Sequence, residues 1–292
     1  MNEESIYRSS EKKQEILNLY QEKLDSLNMN YKSEYISTKY GETHVVIIGD
    51  RLKPALVLIH GSNGNSAIVI EPLLKLTETH CIYAIDVIGQ PNKSSELRPS
   101  MKDLSYGIWL DEVLDSLKLI NSVIYGMSFG GFILIKLLLQ NSKRVSEAIL
   151  HVPAGIVNGN PLVGIFKIFL PMKKYIKTGD QKSFDMFLST AFTEPDDFAK
   201  RFLSLVLRSL KMDFTQIPLL GKKDAKHISN KVHVIAADND SFFPGKKLLK
   251  RLTNILPNKG KTLLLENCKH VPSTEHNKKI VHFINELITS TN

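Results

Sequence analysis

The sequence is poor in cysteine and has no long uninterrupted apolar run. Its 292 residues include two cysteines, Cys81 and Cys268, which lie far apart and form no CxxC pair, so neither a zinc site nor a disulfide framework is predicted. Prolines, asparagines and lysines interrupt its most apolar stretch, residues 156–176, which therefore cannot supply the ~20 apolar residues of a membrane span. The first 13 residues are polar and lack the apolar segment of a secretory signal. We expect a cytoplasmic chain with free, buried thiols and no membrane span.

Positive charge is in excess, but it is not concentrated. The formal net charge is +8, yet the basic residues occur as scattered pairs, without an aromatic-interleaved basic block. Scattered pairs are typical of a solvated surface, and no nucleic-acid partner is predicted. Hydrophobic residues make up 42% and charged residues 23%, an ordinary balance for a globular protein that argues against a disordered or fibrous chain.

Strands and helices alternate along most of the chain. Short, continuously apolar runs such as 55–59 suit strands that are buried on both faces of a parallel sheet. The predicted strands are 31–38, 43–49, 55–59, 81–86, 122–125, 148–152, 232–236 and 262–265. The predicted helices of this part are 11–27, 66–77, 104–117, 129–140, 245–256 and 278–288. This alternation predicts an α/β fold with a mostly parallel, doubly wound sheet.

The alternation stops after the sixth predicted strand. Residues 155–230 contain only helical segments, around 162–169, 181–189 and 196–210, with breaks expected at Pro161, Pro171, Gly179 and Pro195. We therefore expect an N-terminal helical segment (1–30), a sheet core (31–154 and 231–292) and a helical cap inserted into it (155–230). The N-terminal helix is expected to pack on the core or to form a dimer contact, and the sequence does not determine the oligomeric state.

The sharpest local signal is Gly126-Met-Ser128-Phe-Gly130, between an apolar strand and an apolar helix. A nucleophilic serine must project from a sharp strand-to-helix turn, and small flanking residues keep side chains out of that bend. The N-terminus of the following helix favours developing negative charge. Ser128 is therefore the candidate nucleophile, and the alternative is a small serine packed where a strand meets a helix.

Candidates for a base and an acid follow the last two predicted strands. His270 comes shortly after strand 262–265, at the edge where the carboxyl ends of parallel strands meet. Asp238 and Asp240 both follow strand 232–236, and either could orient the imidazole of His270. An aspartate in such a loop can also act only as a turn or capping residue. The order Ser128, aspartate, His270 is the nucleophile–acid–base order of one class of hydrolases.

An oxyanion requires two preorganised donors. One predicted donor is the backbone N–H of Phe129, directly after the candidate nucleophile. The loop that begins at His60 and Gly61 follows strand 55–59, and its small residues allow close approach to a substrate oxygen. We assign the second donor to Ser62 in this loop, and we interpret His60 as a histidine that braces it.

At this point the sequence resembles the α/β-hydrolase superfamily, from about residue 39 to residue 287. Its landmarks are residues 40–43, the apolar strand into His60 and Gly61, Asp86-Val-Ile-Gly89-Gln-Pro-Asn-Lys-Ser94, residues 126–131, and Lys269-His270. In particular the chain resembles small bacterial carboxylesterases with a helical cap after the sixth strand. The resemblance implies the α/β-hydrolase fold.

The resemblance also bears on individual residues. The spacing of Ala237 and Asp240, followed by Pro244, is similar to the family's G-x-x-D acid loop, which implies Asp240 rather than Asp238 as the acid. This chain has Asn92, Ala237 and Lys269 where the family often has glycine. It also lacks the family's HGGG loop, so Asn63 remains an alternative to Ser62 as the second oxyanion donor.

The implied chemistry is cleavage of a small, largely apolar carboxylic ester through an acyl-enzyme on Ser128, without a metal or an organic cofactor. The same fold and triad are similar to those of C–C bond hydrolases, acyltransferases, lipases, and ligand-binding receptors with slow turnover. These classes remain alternatives.

Overall fold

One sheet organises the chain. The computed structural model describes residues 5–289, and residues 1–4 and 290–292, which the sequence assigns to the N-terminal segment and the core, lie outside them. The strands of the described part are β1 (Tyr31–Thr38), β2 (Gly41–Ile48), β3 (Ala55–Ile59), β4 (Cys81–Ile85), β5 (Ser122–Met127), β6 (Val145–His151), β7 (Lys231–Ala237) and β8 (Lys259–Leu265). They lie in the order β1-β2-β4-β3-β5-β6-β7-β8, with β2 antiparallel to both of its neighbours and all other pairs parallel. The mostly parallel sheet is therefore confirmed.

Helices cover both faces of this sheet. On one face, α3 (Ser105–Ser116), α4 (Phe129–Gln140) and α10 (Gly245–Ile255) form a core with the apolar side chains of β3 to β7. On the other face, α1 (Ser10–Ser26), α2 (Ser66–Ile70) and α11 (Thr274–Thr289) form a second core. The central strands β3 and β4 are buried on both sides, which explains their unbroken apolar sequence. The sheet is doubly wound, as predicted.

A helical insertion follows the sixth strand. It contains α5 (Pro161–Val163), a π-helix (Gly164–Phe169), α6 (Leu170–Thr178), α7 (Gln181–Ala191), α8 (Asp197–Ser209) and α9 (Lys222–Ala225). The N-terminal helix α1 packs on this insertion, because its Ile16 and Leu19 share an apolar cluster with Phe202 and Val206 of α8. The division of the chain into an N-terminal segment, a core and a cap domain stays a prediction.

Two prolines affect the helices differently from the sequence prediction. The helix expected over 66–77 ends at Ile70 and continues as a 3₁₀-helix over Glu71–Glu78, because Pro72 has no N–H to offer the carbonyl four residues before it. The break expected at Pro171 is wrong, since the segment is helical without interruption from Pro161 to Thr178. The π-helix ends at Phe169, and Pro171 stands in the first turn of α6, a position where a proline is tolerated.

Close packing of α3 on α4 depends on Gly107. A Cβ at this position would lie 2.4 Å from the backbone oxygen of Lys136, whereas a Cβ at the helical Gly164 would meet nothing within 4 Å. We expect Gly107→Ala to lower the free energy of unfolding by about 1–3 kcal/mol through overpacking. Gly164→Ala, the matched control, should leave it unchanged or raise it by up to about 1 kcal/mol. Urea unfolding measures both changes, and equal values for the two variants would contradict the close helix contact.

Candidate active site

Ser128 lies in a sharp turn between β5 and α4. Its backbone has φ 53° and ψ −111°, a conformation that residues other than glycine rarely adopt. Two backbone hydrogen bonds join it to the segment at and just after the end of β6: the Ser128 N–H donates to the His151 carbonyl (2.9 Å), and the Ala154 N–H donates to the Ser128 carbonyl (3.0 Å). The strained turn is therefore fixed from the end of β6.

The flanking glycines allow the turn to pack against β3. A Cβ at Gly130 would lie 2.2 Å from the Ile59 carbonyl oxygen, and a Cβ at Gly126 would lie 2.5 Å from the Gly130 carbonyl oxygen. Neither position has room for a larger residue. The Gly-x-Ser-x-Gly pattern thus has a steric cause, which is the close approach of the turn to its own helix and to the end of β3.

The structure brings Ser128, His270 and Asp240 into one hydrogen-bonded chain. His270 Nε2 lies 2.9 Å from Ser128 Oγ, and His270 Nδ1 lies 2.7 Å from Asp240 Oδ2. Asp240 follows β7 and His270 follows β8, and these two strands are parallel neighbours. Because their carboxyl ends meet at one edge of the sheet, residues 30 positions apart come into contact there.

Electrostatics indicates where the protons lie between Ser128, His270 and Asp240. Burial alone would raise the pKa of the Asp240 carboxyl, but His270 and the N–H groups of Phe242 and Phe243 outweigh burial and hold that pKa below its usual value. Asp240 is therefore ionised near neutral pH and can only accept hydrogen bonds. Nδ1 of a neutral His270 then carries the ring hydrogen, which leaves Nε2 free to accept the hydrogen bond of the Ser128 hydroxyl.

Asp238, the alternative acid, forms a hydrogen bond away from the imidazole of His270. Its Oδ1 accepts a hydrogen bond from the Cys268 N–H at 3.2 Å, which ties the loop after β7 to the loop that leads to His270. Burial raises the pKa of the Cys268 thiol to about 11. Asp238 thus supports the backbone near His270, whereas Asp240 contacts its imidazole.

The loop after β3 lies against Ser128. A Cβ at Gly61 would be 3.3 Å from the Ser128 Cβ. Asn63 has a left-handed backbone (φ 58°), and its N–H donates to the Gln90 side-chain oxygen at 2.7 Å. Ser62 lies in the exposed turn between these residues. The Asn63 N–H is therefore already engaged, an observation that favours Ser62 as the second oxyanion donor.

His60 braces this loop, as the sequence suggests. Its Nε2 accepts a hydrogen bond from the Val87 N–H at 2.9 Å and lies 3.3 Å from the Asn92 side-chain nitrogen. Its Nδ1 lies 2.8 Å from the Gly61 carbonyl oxygen. Burial lowers the pKa of His60 and keeps it neutral. The ring thus joins the loop after β3 to the loop after β4.

Asp86 anchors the loop that carries Gln90, a role that sequence reasoning did not assign. Its carboxylate is fully buried, accepts the Ser66 N–H at 2.7 Å and lies 2.8 Å from His44 Nδ1. Burial would raise its pKa, but these partners and His60 hold that pKa below its usual value. The signal in the sequence was an aspartate at the end of a buried strand, although its partners are distant along the chain.

The helical insertion contacts the site through aromatic rings. Phe242 and Phe243 lie against the His270 imidazole, with ring centroids 4.8 and 5.4 Å away. Phe242 also packs against the apolar cluster of α6, α7 and α8. Lys269, which replaces a common glycine of the family, donates from Nζ to the Ser189 carbonyl of α7. The side chain at position 269 therefore ties the histidine loop to the insertion.

His151 lies directly behind the Ser128 turn. The ring is buried, its Nδ1 lies 2.5 Å from the Tyr125 hydroxyl, and its Nε2 has no hydrogen-bond partner among the described residues. Burial, reinforced by nearby His270 and opposed by Asp240, lowers the pKa of His151 to about 3. A neutral histidine therefore underlies the site across the physiological pH range.

Comparison with known proteins identifies the fold. A family model described as alpha/beta hydrolase fold matches residues 54–196. The crystal structure of naproxen esterase (carboxylesterase NP) from Bacillus subtilis superposes with a TM-score of 0.82 at 22% identity, covering 96% of this chain and 99% of that chain. A likeness at this identity shows the fold alone. The chain has the α/β-hydrolase fold, as predicted.

Two curated relatives from Bacillus subtilis (strain 168) are similar in sequence. The carboxylesterase nap is 36% identical over 135 residues, which are 46% of this chain and 45% of that relative, so this match spans less than half of its length. The carboxylesterase YbfK is 24% identical over 277 residues, which are 91% of this chain and 92% of that relative. The chain has the α/β-hydrolase fold and resembles small bacterial carboxylesterases in sequence.

The neutral state of His151 predicts an acid-sensitive fold. Below about pH 6.5 the unfolded chain takes up a proton at this histidine, while the folded chain does not until about pH 3. This difference in protonation therefore leaves the free energy of unfolding unchanged above pH 6.5 and lowers it as the pH falls below that value. Between pH 6 and pH 4, we expect the free energy of unfolding of wild type to fall by about 1.4 kcal/mol more per pH unit than that of His151→Gln.

Urea unfolding at a series of pH values measures this slope. His227→Gln is the matched control, because the His227 side chain is exposed and its removal should leave the slope of wild type unchanged. An equal slope in wild type and His151→Gln would show that the buried ring does not titrate in this way.

Proposed function

We propose that this protein is a serine hydrolase that cleaves carboxylic esters of small, largely apolar substrates through an acyl-enzyme on Ser128. The single observation that carries the proposal is the chain of hydrogen bonds from Ser128 through His270 to Asp240. An ionised carboxylate, a correctly oriented imidazole and a hydroxyl on a strained strand-to-helix turn are the parts that nucleophilic acyl transfer requires.

In the first half of the reaction, Ser128 Oγ attacks the ester carbonyl carbon while His270 Nε2 takes the hydroxyl proton. The Asp240 carboxylate stabilises the imidazolium that forms. His270 then gives the proton to the departing alcohol oxygen as the C–O bond breaks, which leaves the acyl group on Ser128. In the second half, water repeats the attack with His270 as base, and the acid and the free serine result.

The oxyanion of each tetrahedral intermediate requires donors near Ser128. We propose the N–H of Phe129, which is the first of α4 and has no carbonyl partner within its own helix, together with the N–H of Ser62. The contact of Gly61 with Ser128 supports the placement of this loop beside the nucleophile. In this arrangement Gln90 is a positioning residue, because it holds the Asn63 N–H and thereby the turn at Ser62.

We further propose that residues 155–230 form a cap over the site and supply much of an apolar acyl or alcohol pocket. Phe242, which lies between His270 and the apolar cluster of the insertion, supports this position. The names of nap and YbfK support an ester as the substrate. The cytoplasm is the proposed location, a small molecule is the proposed partner, and the reaction as written needs no cofactor.

Hydrolysis of p-nitrophenyl esters of increasing acyl length tests the proposal. Ser128→Ala should lower kcat by about 10⁴-fold or more, because it removes the nucleophile. Wild type should also gain one covalent adduct from a fluorophosphonate, visible by mass spectrometry, and Ser128→Ala none. Ser37→Ala, which removes an exposed serine of β1, should behave like wild type in both measurements.

The two aspartates provide a second contrast in the same assay. Asp240→Asn should lose most of the activity while the protein stays folded, whereas Asp238→Asn, at a side chain that accepts a hydrogen bond from the Cys268 backbone, should retain much more. Turnover in Ser128→Ala equal to that of wild type on every ester would contradict the proposal.

Gln90 should affect the rate more than substrate binding. Gln90→Leu removes the acceptor of the Asn63 N–H, so the Ser62 turn loses its orientation, and we expect kcat to fall by about ten-fold with little change in KM. Gln90→Glu keeps an acceptor at the same reach and should restore most of the rate. Steady-state kinetics on one ester measures both, and equal kcat in Gln90→Leu and wild type would contradict the positioning role.

A further inference from the structure

The helical segment from Pro161 to Thr178 is apolar on two opposite sides. One side faces inward, where Ile168 and Tyr175 are buried against Phe184 and Phe187 of α7. This contact accounts for the attachment of the segment to the rest of the insertion. It leaves the apolar residues of the other side unexplained.

That other side is exposed. Leu162 and Phe166 are 64% and 60% exposed, and Ile165 and Leu170 are also exposed. Their spacing of three, four and eight residues places them along one side of a helix. A stripe of large apolar side chains in contact with water is unusual on a protein surface and indicates an interaction site.

The exposed stripe continues onto the neighbouring loop. The Phe169 ring meets the exposed Phe214 ring edge to face, with centroids 5.3 Å apart. The Lys173 ammonium lies over both rings, 4.6 Å from the centroid of Phe169 and 5.7 Å from that of Phe214. We call Leu162, Ile165, Phe166, Phe169, Leu170 and Phe214 the apolar face.

The charge beside the apolar face has one sign. Residues 161–178 contain four lysines and no acidic residue. Lys174 pairs with Asp180, beyond the end of the segment, while Lys167, Lys173 and Lys177 are exposed. An exposed apolar stripe with lysines beside it is the pattern of a helix that lies in the plane of a membrane surface. The whole chain, with a net charge of +8, adds to the attraction of an anionic surface.

The apolar face begins next to the candidate active site. The Gly159 N–H, two residues before the segment, donates to the Phe242 carbonyl at 2.7 Å, and the Phe242 ring contacts His270. A surface that binds the apolar face is therefore close to the entrance that the cap would provide. Among residues 5–289 no helix is long and apolar enough to cross a membrane.

We propose that the apolar face and its lysines dock this protein on the surface of an anionic phospholipid bilayer. The lysines favour this partner over a second copy of the chain, because two such faces brought together would also bring their positive charges together. The apolar side chains enter the headgroup region while Lys167, Lys173 and Lys177 stay among the lipid phosphates. The docking does not depend on the proposed function.

Vesicle flotation tests the docking on the full chain. Wild type should float with phosphatidylcholine vesicles that contain phosphatidylglycerol, and much less with phosphatidylcholine alone or at high salt. Phe166→Asp and Lys167→Glu should each weaken binding to the anionic vesicles by about ten-fold or more. In Phe166→Trp the added indole should shift its emission to the blue on binding, against a constant background from the buried Trp109.

The controls carry the same charge changes elsewhere. Leu52→Asp replaces the most exposed large apolar residue outside the segment, and Lys102→Glu reverses an exposed lysine. Both should bind like wild type. Equal losses in the controls, no binding by wild type, or binding unaffected by Phe166→Asp would each overturn the proposal. A wild-type dimer in sedimentation velocity that Phe166→Asp dissociates would also overturn it, because the face would then be an interface between copies.

Discussion

Ser128 holds a backbone conformation that an L-amino acid adopts only where its surroundings enforce it. The enforcement comes from three directions: the hydrogen bonds from the end of β6, the end of β3 pressed against Gly130, and the helix α4 that starts directly after the turn. Each of these elements also carries another part of the site. The position of the hydroxyl therefore depends on the packing of the sheet as a whole, and not on the five residues of the motif alone.

Two loops at the carboxyl edge of the sheet complete the arrangement, and each is fixed by a buried carboxylate. Asp240 orients His270 while its other oxygen accepts two backbone N–H groups of its own loop. Asp86 plays a comparable part on the other side of Ser128, where it secures the loop that carries Gln90. Burial alone would raise the pKa of both carboxyls, and their hydrogen-bond partners outweigh this effect and lower it. The site is thus preorganised by charges that have little freedom to move.

The helical insertion connects this edge to the outer surface. Phe242 contacts both the imidazole and the apolar cluster under α6, and Lys269 reaches the backbone of α7. The outer side of the same segment presents the apolar face. Because the N-terminal helix α1 also packs on α8, the insertion is held from two sides, and its attachment does not rest on the site loops alone.

The sequence alone determined the parts of this protein that depend on local pattern. Unbroken apolar runs such as Ala55–Ile59 predicted buried parallel strands, and the small residues around Ser128 predicted a sharp turn, because strand burial and turn sterics are decided within a few residues. Asp240 could be preferred over Asp238 only through family resemblance, since both leave the same strand. The tertiary structure brings Asp240 to His270 and Asp238 to the Cys268 backbone.

Contacts between distant segments were not accessible from pattern. The bond of Gln90 to the Asn63 N–H, the burial of His151 behind the turn and the reach of Lys269 to α7 all join residues that no local spacing relates. The helix through Pro171 was also missed, because a proline is read as a break unless its place in the first turn of α6 is known. The exposure of Leu162 and Phe166 also depends on the tertiary structure. An apolar residue looks the same in a sequence whether it faces the core or water, and only the packing of the neighbouring helices settles which side is covered.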